Sequence, residues 1–529
     1  MVVIQIVIIL TAGLFGGLLS ASPSPSMQRL PVVDLGYSQY RGMSLSNGVD
    51  QFLGIRYAKA PLGNLRFRGR RYCRDFRCII ESIDDSLAED CLFINIWRPT
   101  GASPYSDLPV WLFIQGGGYA NNANGNYNGS EVVQQSDHNI IFVNFNYRVG
   151  VLGFLASEHV RRNGDLNAGL LDQRKALYWV QKHIRKFGGN PDHVVIHGDS
   201  AGAGSVAYHL TAYGERNTDL FIGAVAESPF WPTQRTVAQM EFQYDRFVKD
   251  ASCHKAEDSL GCLRSSDIKP IQKFNVDKPF PGGSSMPAPL WYFLPVVDGN
   301  LIQDHLYNLF SDGKFVHVPL LVGDETNEGT RFAYNASSKS EVAQFMKNNY
   351  PGLSDDQLHA INKAYEDVEP LPKHAAYFAS AAGAYGDATL TCPGNFMSAA
   401  MARSFSSDVV WNYRYNVRDP TEIANGMGVP HVFDLPAIFG VGKTNEPTVS
   451  YASSNAKIVP VTMHYYLSFI RVLDLNTYRY EDAPEWQPWG SEAGHRLKLQ
   501  TNSTRMESVP RLEVERCSMW KDFAADMQN

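Results

Sequence analysis

Two patterns of hydrophobic and polar residues alternate along most of the chain. Six short apolar runs have the composition of buried strands: residues 108–114, 140–145, 194–197, 222–226, 318–322 and 409–415. Ahead of Gly188, Leu177, Val180, Ile184 and Phe187 recur at spacings of three and four, which predicts an amphipathic helix ended by glycine. Strands that alternate with helices predict an α/β protein with a mostly parallel central sheet.

The alternation is absent at the beginning of the chain and in two later stretches. Residues 43–55 alternate around Asn47-Gly48, the usual signal of a type I′ hairpin, so we expect an N-terminal antiparallel edge. Residues 230–295 and 338–406 lack the strand pattern. We interpret both as mainly helical insertions that cap the sheet and wall a pocket.

The first residues predict export from the cell. Residues 2–19 are almost wholly apolar and are followed by small residues, serines and prolines, so we expect residues 1–21 to be a signal peptide. A signal anchor is the alternative, because the run approaches the ~20 residues that span a bilayer. The glycosylation candidates Asn128, Asn335 and Asn502 fit a secreted, extracellular protein with no stable membrane insertion after cleavage.

The net charge disfavours one class of partner, and the cysteine content predicts disulfides. The formal net charge of -7 argues against a nucleic-acid partner. Seven cysteines in a secreted chain predict disulfides with one thiol left over. Cys253 and Cys262 are close enough in sequence to close a small loop. The sequence does not indicate an oligomeric state.

The strongest chemical signal follows the apolar run 194–197. Gly198-Asp-Ser-Ala-Gly202 is typical of a strained turn between strand and helix, which makes Ser200 the candidate nucleophile. A serine also needs a histidine, a carboxylate and donors for the oxyanion. The run 108–114 leads directly into three glycines, so we expect the N–H groups of Gly117, Gly118 and Ala201 to be those donors.

The acid and the histidine should follow the serine in that order. Asp324, Glu325 and Glu328 come after the run 318–322, and their spacing does not choose among them. Of five later histidines, His431 lies in a loop of glycine and prolines and is the best candidate, whereas His464 lies in an aromatic, helix-like run and is interpreted as a core residue. This chemistry requires neither a metal nor an organic cofactor.

Several ordered motifs resemble the type-B carboxylesterase and lipase family, which includes cholinesterases and secreted fungal lipases. They are Phe52-Leu-Gly-Ile-Arg-Tyr-Ala58, Glu89-Asp-Cys-Leu-Phe-Ile-Asn95, Gln115-Gly-Gly-Gly118, Asn146-Tyr-Arg148, Asn167-Ala-Gly-Leu-Leu-Asp-Gln173, Phe187-Gly-Gly-Asn-Pro191 and the Ser200 pentapeptide. The resemblance implies a single α/β-hydrolase domain over residues 22–529, the triad Ser200, Glu328 and His431, and the same oxyanion donors. It also implies three disulfides: Cys253 with Cys262, Cys392 with Cys517, and Cys91 with Cys73 or Cys78.

The chain departs from the family pattern in three places. Asp199 stands where glutamate is usual and Gln115 where histidine is common, and neither side chain is required by the triad. Only 12 residues separate Cys78 from Cys91, or 17 from Cys73, and they contain no tryptophan. In similar lipases this segment is a longer lid, and in cholinesterases it carries a choline-stacking tryptophan. Either the lid is truncated or the arginine-rich residues 66–80 reflect a faulty gene model.

The resemblance implies a secreted serine hydrolase that acts on small-molecule or lipid esters. A true triacylglycerol lipase is the alternative within the family, although the short segment before Cys91 favours an esterase. A non-catalytic adhesion protein is the alternative from another class, disfavoured because serine, acid, histidine and glycine loop are all retained.

Overall fold

The structure, a computed structural model, describes residues 30–69, 89–122, 127–214, 216, 219–490 and 494–529. The predicted signal peptide, Cys73, Cys78 and most of the short segment before Cys91 lie outside these residues. Within them, an 11-stranded sheet forms the centre of the fold and a two-stranded ribbon precedes it.

The strands are β1 (Val32–Asp34), β2 (Gln39–Arg41), β3 (Met43–Ser44), β4 (Val49–Arg56), β5 (Phe93–Pro99), β6 (Leu108–Ile114), β7 (Ile141–Phe145), β8 (Gly189–Asp199), β9 (Gly223–Glu227), β10 (Leu320–Glu325), β11 (Val410–Tyr415), β12 (His495–Leu499) and β13 (Arg505–Ser508). The central sheet has the order β13-β12-β11-β10-β9-β8-β6-β7-β5-β4-β3. Strands β6 to β12 pair in parallel, and the strands at both edges are antiparallel.

The helices are α1 (Ser130–Gln135), α2 (Gly150–Phe154), α3 (Glu158–Asn163), α4 (Ala168–His183), α5 (Ala201–Leu210), α6 (Val237–Asp250), α7 (Ser259–Ser265), α8 (Ile268–Lys273), α9 (Leu306–Ser311), α10 (Lys339–Asn349), α11 (Asp355–Ala364), α12 (Phe378–Gly386), α13 (Cys392–Ser404), α14 (Pro420–Ala424), α15 (Leu435–Phe439), α16 (Ile458–Val472) and α17 (Arg511–Met527). Short 3-10 turns occupy Gly63–Leu65, Ile184–Phe187, Glu328–Arg331 and Ser407–Val409, and a π turn, Asp387–Thr391, joins α12 to α13.

The pattern-based expectations for the sheet are confirmed. All six predicted runs are strands, β6 to β11, and they are neighbours in the sheet. The predicted hairpin joins β3 to β4, and the predicted amphipathic helix is α4 with the 3-10 turn after it. The chain therefore has the mostly parallel α/β-hydrolase architecture, with α6–α8 and α10–α13 in the two insertions.

Side chains that alternate along the parallel strands cover both faces of the sheet. On β6, Val110 and Leu112 pack in one core with residues of α4 and α5, whereas Trp111 and Phe113 pack in a second core with residues of α15 and α16. All four side chains are fully buried. Because β6, β8 and β10 run in parallel, their carboxyl ends lie at the same edge of the sheet, which is where ligands bind in sheets of this kind.

Two disulfides fasten the helical insertions. Cys253 pairs with Cys262 between α6 and α7, and Cys392 at the start of α13 pairs with Cys517 in α17. Both are the pairings that the resemblance implies, whereas the candidate partners of Cys91 lie outside the described residues.

Surface features are consistent with glycosylation at two of the three candidate positions. Asn335 and Asn502 are exposed, while Asn128 is half-buried and its Oδ1 accepts the Ser130 N–H. Over the part of the chain that the structure describes, no helix has both the length and the apolar character needed to cross a bilayer.

Candidate active site

Ser200 lies on the strained turn between β8 and α5. Its backbone has φ 54° and ψ -122°, a region that non-glycine residues rarely occupy. The Ser200 N–H donates to the Glu227 carbonyl at 2.8 Å, which links the turn to the end of β9. A Cβ on Gly198 would lie 2.2 Å from the carbonyl carbon of Gly202, and one on Gly202 would lie 1.9 Å from the Ile114 oxygen. Both flanking glycines are therefore sterically required.

The glycine loop after β6 lies beside this turn, because β6 and β8 are adjacent strands. Gly117 and Gly118 have φ values of 101° and 62°. A Cβ on Gly118 would lie 2.0 Å from the Trp291 ring, so the indole lies directly against the loop. The N–H groups of Gly117 and Gly118 donate to no described acceptor, and that of Ala201, the first residue of α5, has no intrahelical acceptor. Gly117 and Gly118 line the cavity described below, so their N–H groups can meet a ligand there.

Asp199 connects the serine turn to the glycine loop. Its Oδ1 accepts the Gly116 N–H at 2.7 Å, and the Tyr127 hydroxyl lies 3.4 Å from Oδ2. Burial raises the pKa of Asp199 to about 7, against the opposing influence of the Gly116 N–H and of His431. The sequence identified this residue only as a tolerated substitution, yet its side chain makes the direct link between the two segments.

His431 and Glu328 form a buried pair at the same edge of the sheet. The Nδ1 atom of His431 lies 2.5 Å from Glu328 Oε2. Burial opposes ionisation of Glu328, but the charge of His431 and hydrogen bonds from His431, Glu325 and Ser228 bring its pKa below the usual value. The other ring nitrogen of His431, Nε2, is buried and has no hydrogen-bond partner among the described residues. His431 and Ser200 line the same cavity.

Of the three candidate acids, only Glu328 is hydrogen-bonded to His431 in the described structure. Asp324 is buried in the field of Arg496, and Glu325 is buried with its Oε2 2.7 Å from Ser228 Oγ. The 3-10 turn that begins at Glu328 directs this side chain toward the histidine, a difference that spacing along the chain does not show.

The interpretation of His464 as a core residue was wrong. Its ring is half-buried, and Nδ1 lies 3.3 Å from the Tyr478 carbonyl. The adjacent Tyr465 and Tyr466 are fully buried, so they occupy the inward face of α16 and leave the histidine beside the surface.

The cavity has a volume of about 1270 Å³ and two chemically different sides. Trp291 and Phe332 form an aromatic wall, in which the Phe332 ring centroid lies 4.9 Å from that of His431. The Trp291 indole N–H donates to the Tyr385 hydroxyl at 2.9 Å. On a polar side, Arg331 forms an ion pair with Glu446 at 2.5 Å. Sequence reasoning missed these lining residues, although Arg331 follows Glu328 by only three positions.

Comparison with known proteins gives consistent matches over most of the chain. A model described as "Carboxylesterase family" matches residues 29–520. Secreted lipase 4 of Gibberella zeae is 28% identical over 514 residues, covering 90% of this chain and 89% of that protein. Secreted lipase 1 of Botryotinia fuckeliana is 32% identical, covering 84% of this chain and 85% of that protein. The crystal structure of Aspergillus niger EstA superposes with a TM-score of 0.92 at 57% identity, covering 94% of this chain and 99% of that one.

Proposed function

The chain belongs to the carboxylesterase family and is a carboxylic-ester hydrolase, and we propose that Ser200, His431 and Glu328 are its catalytic residues. Ser200 Oγ attacks the ester carbonyl carbon while His431 Nε2 accepts the hydroxyl proton. Glu328 orients the imidazole and stabilises its charged form. His431 then protonates the departing alcohol oxygen, and water, activated in the same way, releases the acid from the acyl-enzyme.

The oxyanion that forms at the carbonyl needs donors fixed before the reaction begins. We assign this role to the N–H groups of Gly117, Gly118 and Ala201. The observation that carries the proposal is that Gly117, Gly118, Ser200 and His431 line one cavity, and that Nε2 of His431 has no hydrogen-bond partner among the described residues.

A substitution of the serine tests the assignment. Ser200→Ala should lower hydrolysis of p-nitrophenyl butyrate by more than about 10³-fold and abolish covalent labelling by a fluorophosphonate. Ser265→Ala, in α7 and outside the cavity lining, is the matched control and should keep both properties. Retained turnover in folded Ser200→Ala protein would disprove the assignment.

For the substrate, we propose short-chain, soluble esters. The supporting observation is that the aromatic wall of Trp291 and Phe332 stands beside the glycine loop, next to the position proposed for the ester carbonyl. A long-chain triacylglycerol lipase is the second candidate, because relatives in Gibberella zeae and Botryotinia fuckeliana are named secreted lipases. A series of p-nitrophenyl esters from acetate to palmitate, with emulsified trioctanoin as the interfacial substrate, separates the two. Activation at the emulsion surface would support the lipase.

We further propose that the protein is secreted after removal of residues 1–21 and that residues 22–529 form one domain. The names of these two relatives support export, and mass spectrometry of the purified extracellular protein would give its first residue and any glycan on Asn335 or Asn502.

The non-catalytic adhesion alternative requires that a fluorophosphonate label no residue of the wild-type chain.

A further inference from the structure

Three carboxyl groups that the proposed reaction does not use lie behind the His431–Glu328 pair. Glu227 ends β9, Glu325 ends β10 and Asp434 directly precedes α15; each is at most 1% exposed. One oxygen atom from each lies within 4.8 Å of the others. Buried carboxylates at such distances repel one another strongly, so the hydrogen atoms between them decide which are ionised.

The contacts of Ser228 require a proton on Glu325. Ser228 Oγ lies 2.7 Å from Glu325 Oε2 and also 2.7 Å from Glu328 Oε1, but a hydroxyl has only one hydrogen to donate. Glu328 already accepts the Glu325 N–H at Oε1 and His431 at Oε2, as an ionised carboxylate does. The missing hydrogen therefore belongs to the carboxyl group of Glu325.

A second set of contacts leads from Trp111 through His197 to Glu227. The Trp111 indole N–H donates to His197 Nδ1 at 3.2 Å, so the hydrogen of the neutral ring is on Nε2, which donates to Glu227 Oε2 at 3.0 Å. Burial lowers the pKa of His197 to about 3, consistent with a neutral ring.

The side chains of Glu227 and Asp434 are in contact with each other. In the part of the chain that the structure describes, Glu227 Oε1 and Asp434 Oδ1 are buried without an N–H or O–H donor, although the two carboxyl groups are in hydrogen-bonding contact, so one of them carries a proton. Asp434 Oδ2 accepts the Tyr413 hydroxyl at 2.6 Å, and burial raises the pKa of Glu227 well above the usual range, so we assign the proton between the two carboxyl groups to Glu227.

We propose that Glu227 and Glu325 are neutral carboxylic acids in the active enzyme, and that Glu325 is a positioning residue that orients Glu328 through Ser228. This rests on the proposed role of Glu328. The arrangement gives Glu328 fixed hydrogen-bond donors without adding the negative charge of an ionised Glu325 near His431. Burial and the charge of Asp434 raise the pKa of both glutamates well above the usual range.

Other titratable groups face these acids from each neighbouring element. They are Asp199 at the end of β8, Glu328 in its 3-10 turn, Asp434 before α15, Tyr413 and Tyr415 on β11, Tyr451 in the loop before α16, and Tyr466 on α16. The tyrosines among them also have raised pKa values because they are buried, so they remain neutral donors near pH 7.

Infrared spectroscopy of the whole enzyme tests the protonation states without reference to catalysis. At pH 7 the wild type should show carbonyl stretching of protonated carboxylic acids that shifts in D₂O. Glu325→Gln and Glu227→Gln should each remove one component, whereas Glu369→Gln, at an exposed position, should remove none. Because this readout does not depend on turnover, it stands even where the Ser200 assignment fails.

Kinetics test the positioning role. Glu325→Gln keeps a neutral donor and should leave kcat within about twofold, with the acidic limb of the kcat/KM profile unmoved. Glu325→Met removes the donor and should lower kcat about tenfold with little change in KM.

Several results would overturn the inference. One is a wild-type spectrum at pH 7 without protonated-carboxyl bands, which is informative even where a variant does not fold. Another is an acidic limb that moves to lower pH in Glu325→Gln, because that is the result of removing a negative charge near His431. A stoichiometric metal ion in the purified enzyme would show that a cation, rather than protons, separates the carboxylates.

Discussion

Replacement of Trp291 by alanine should allow the enzyme to accept longer acyl chains. The indole lies against Gly118, next to the position proposed for the reacting carbonyl, so its removal opens the cavity where an acyl chain would extend. Each methylene that then leaves water contributes about 0.8 kcal/mol, a factor of about four. For three additional methylenes the gain is ~2.4 kcal/mol, or about 60-fold in kcat/KM.

The assay compares p-nitrophenyl butyrate with the heptanoate, which differs by three methylenes. In Trp291→Ala, the heptanoate-to-butyrate ratio of kcat/KM should rise by up to about 60-fold, while kcat/KM for the butyrate changes little. Trp291→Phe, which keeps an aromatic ring in the wall, is the matched control and should raise the ratio far less. An unchanged ratio in folded Trp291→Ala protein would refute the argument that the indole limits the acyl chain.

Three further predictions concern a titration, a charge pair and a disulfide. Burial raises the pKa of Asp199 to about 7, so between pH 4 and 7 the folded protein holds a proton on Asp199 that the unfolded chain has lost, and the free energy of unfolding falls as pH rises from about 4 to 7. Asp199→Asn should therefore raise the melting temperature more at pH 8 than at pH 5. An equal effect at both pH values would contradict this prediction. Glu446→Gln removes the ion-pair partner of the partly exposed Arg331, which can then attract an anionic substrate. The ratio of kcat/KM for 4-carboxyphenyl acetate to that for phenyl acetate should rise about fivefold, ~1 kcal/mol. Arg331→Gln should abolish this gain. Replacing both Cys392 and Cys517 by alanine removes a disulfide between residues 125 apart in sequence. The free energy of unfolding in urea should fall by about 2–5 kcal/mol. A loss below about 1 kcal/mol would show that α17 is held by packing alone.

The strands and the serine turn could be predicted because their determinants are local. A buried run followed by Gly198, Ser200 and Gly202 specifies a strand and a strained turn within a few neighbouring residues. The glycine loop is similar, since three glycines follow directly on β6. In both places the structure has the strand that the sequence pattern predicted.

The acid could not be chosen from spacing, because Asp324, Glu325 and Glu328 differ mainly in the direction of their side chains. That direction depends on a 3-10 turn and on contacts with Ser228 and His431, which are 100 and 103 residues from Glu328. The resemblance to a known family supplied the choice instead.

The cavity wall and the carboxyl cluster were missed for the same reason. Trp291 meets Gly118 and Tyr385, and Glu227 meets His197, across long separations in sequence. Hydrophobic periodicity contains no information about such contacts. The wrong interpretation of His464 has a different origin, because an aromatic run along a helix does not reveal which of its residues lies beside the surface.

The adjacency of β6 and β8 has a consequence for how the enzyme loses activity on warming. Ser200 and the glycine loop extend from two paired central strands, so the pairing of these strands supports their geometry. His431 comes from a loop between α14 and α15, where local opening requires far less free energy. Inactivation should therefore begin with displacement of the histidine, and amide exchange around residues 426–434 should accelerate at temperatures where the Ser200 amide, bonded to Glu227, still exchanges slowly.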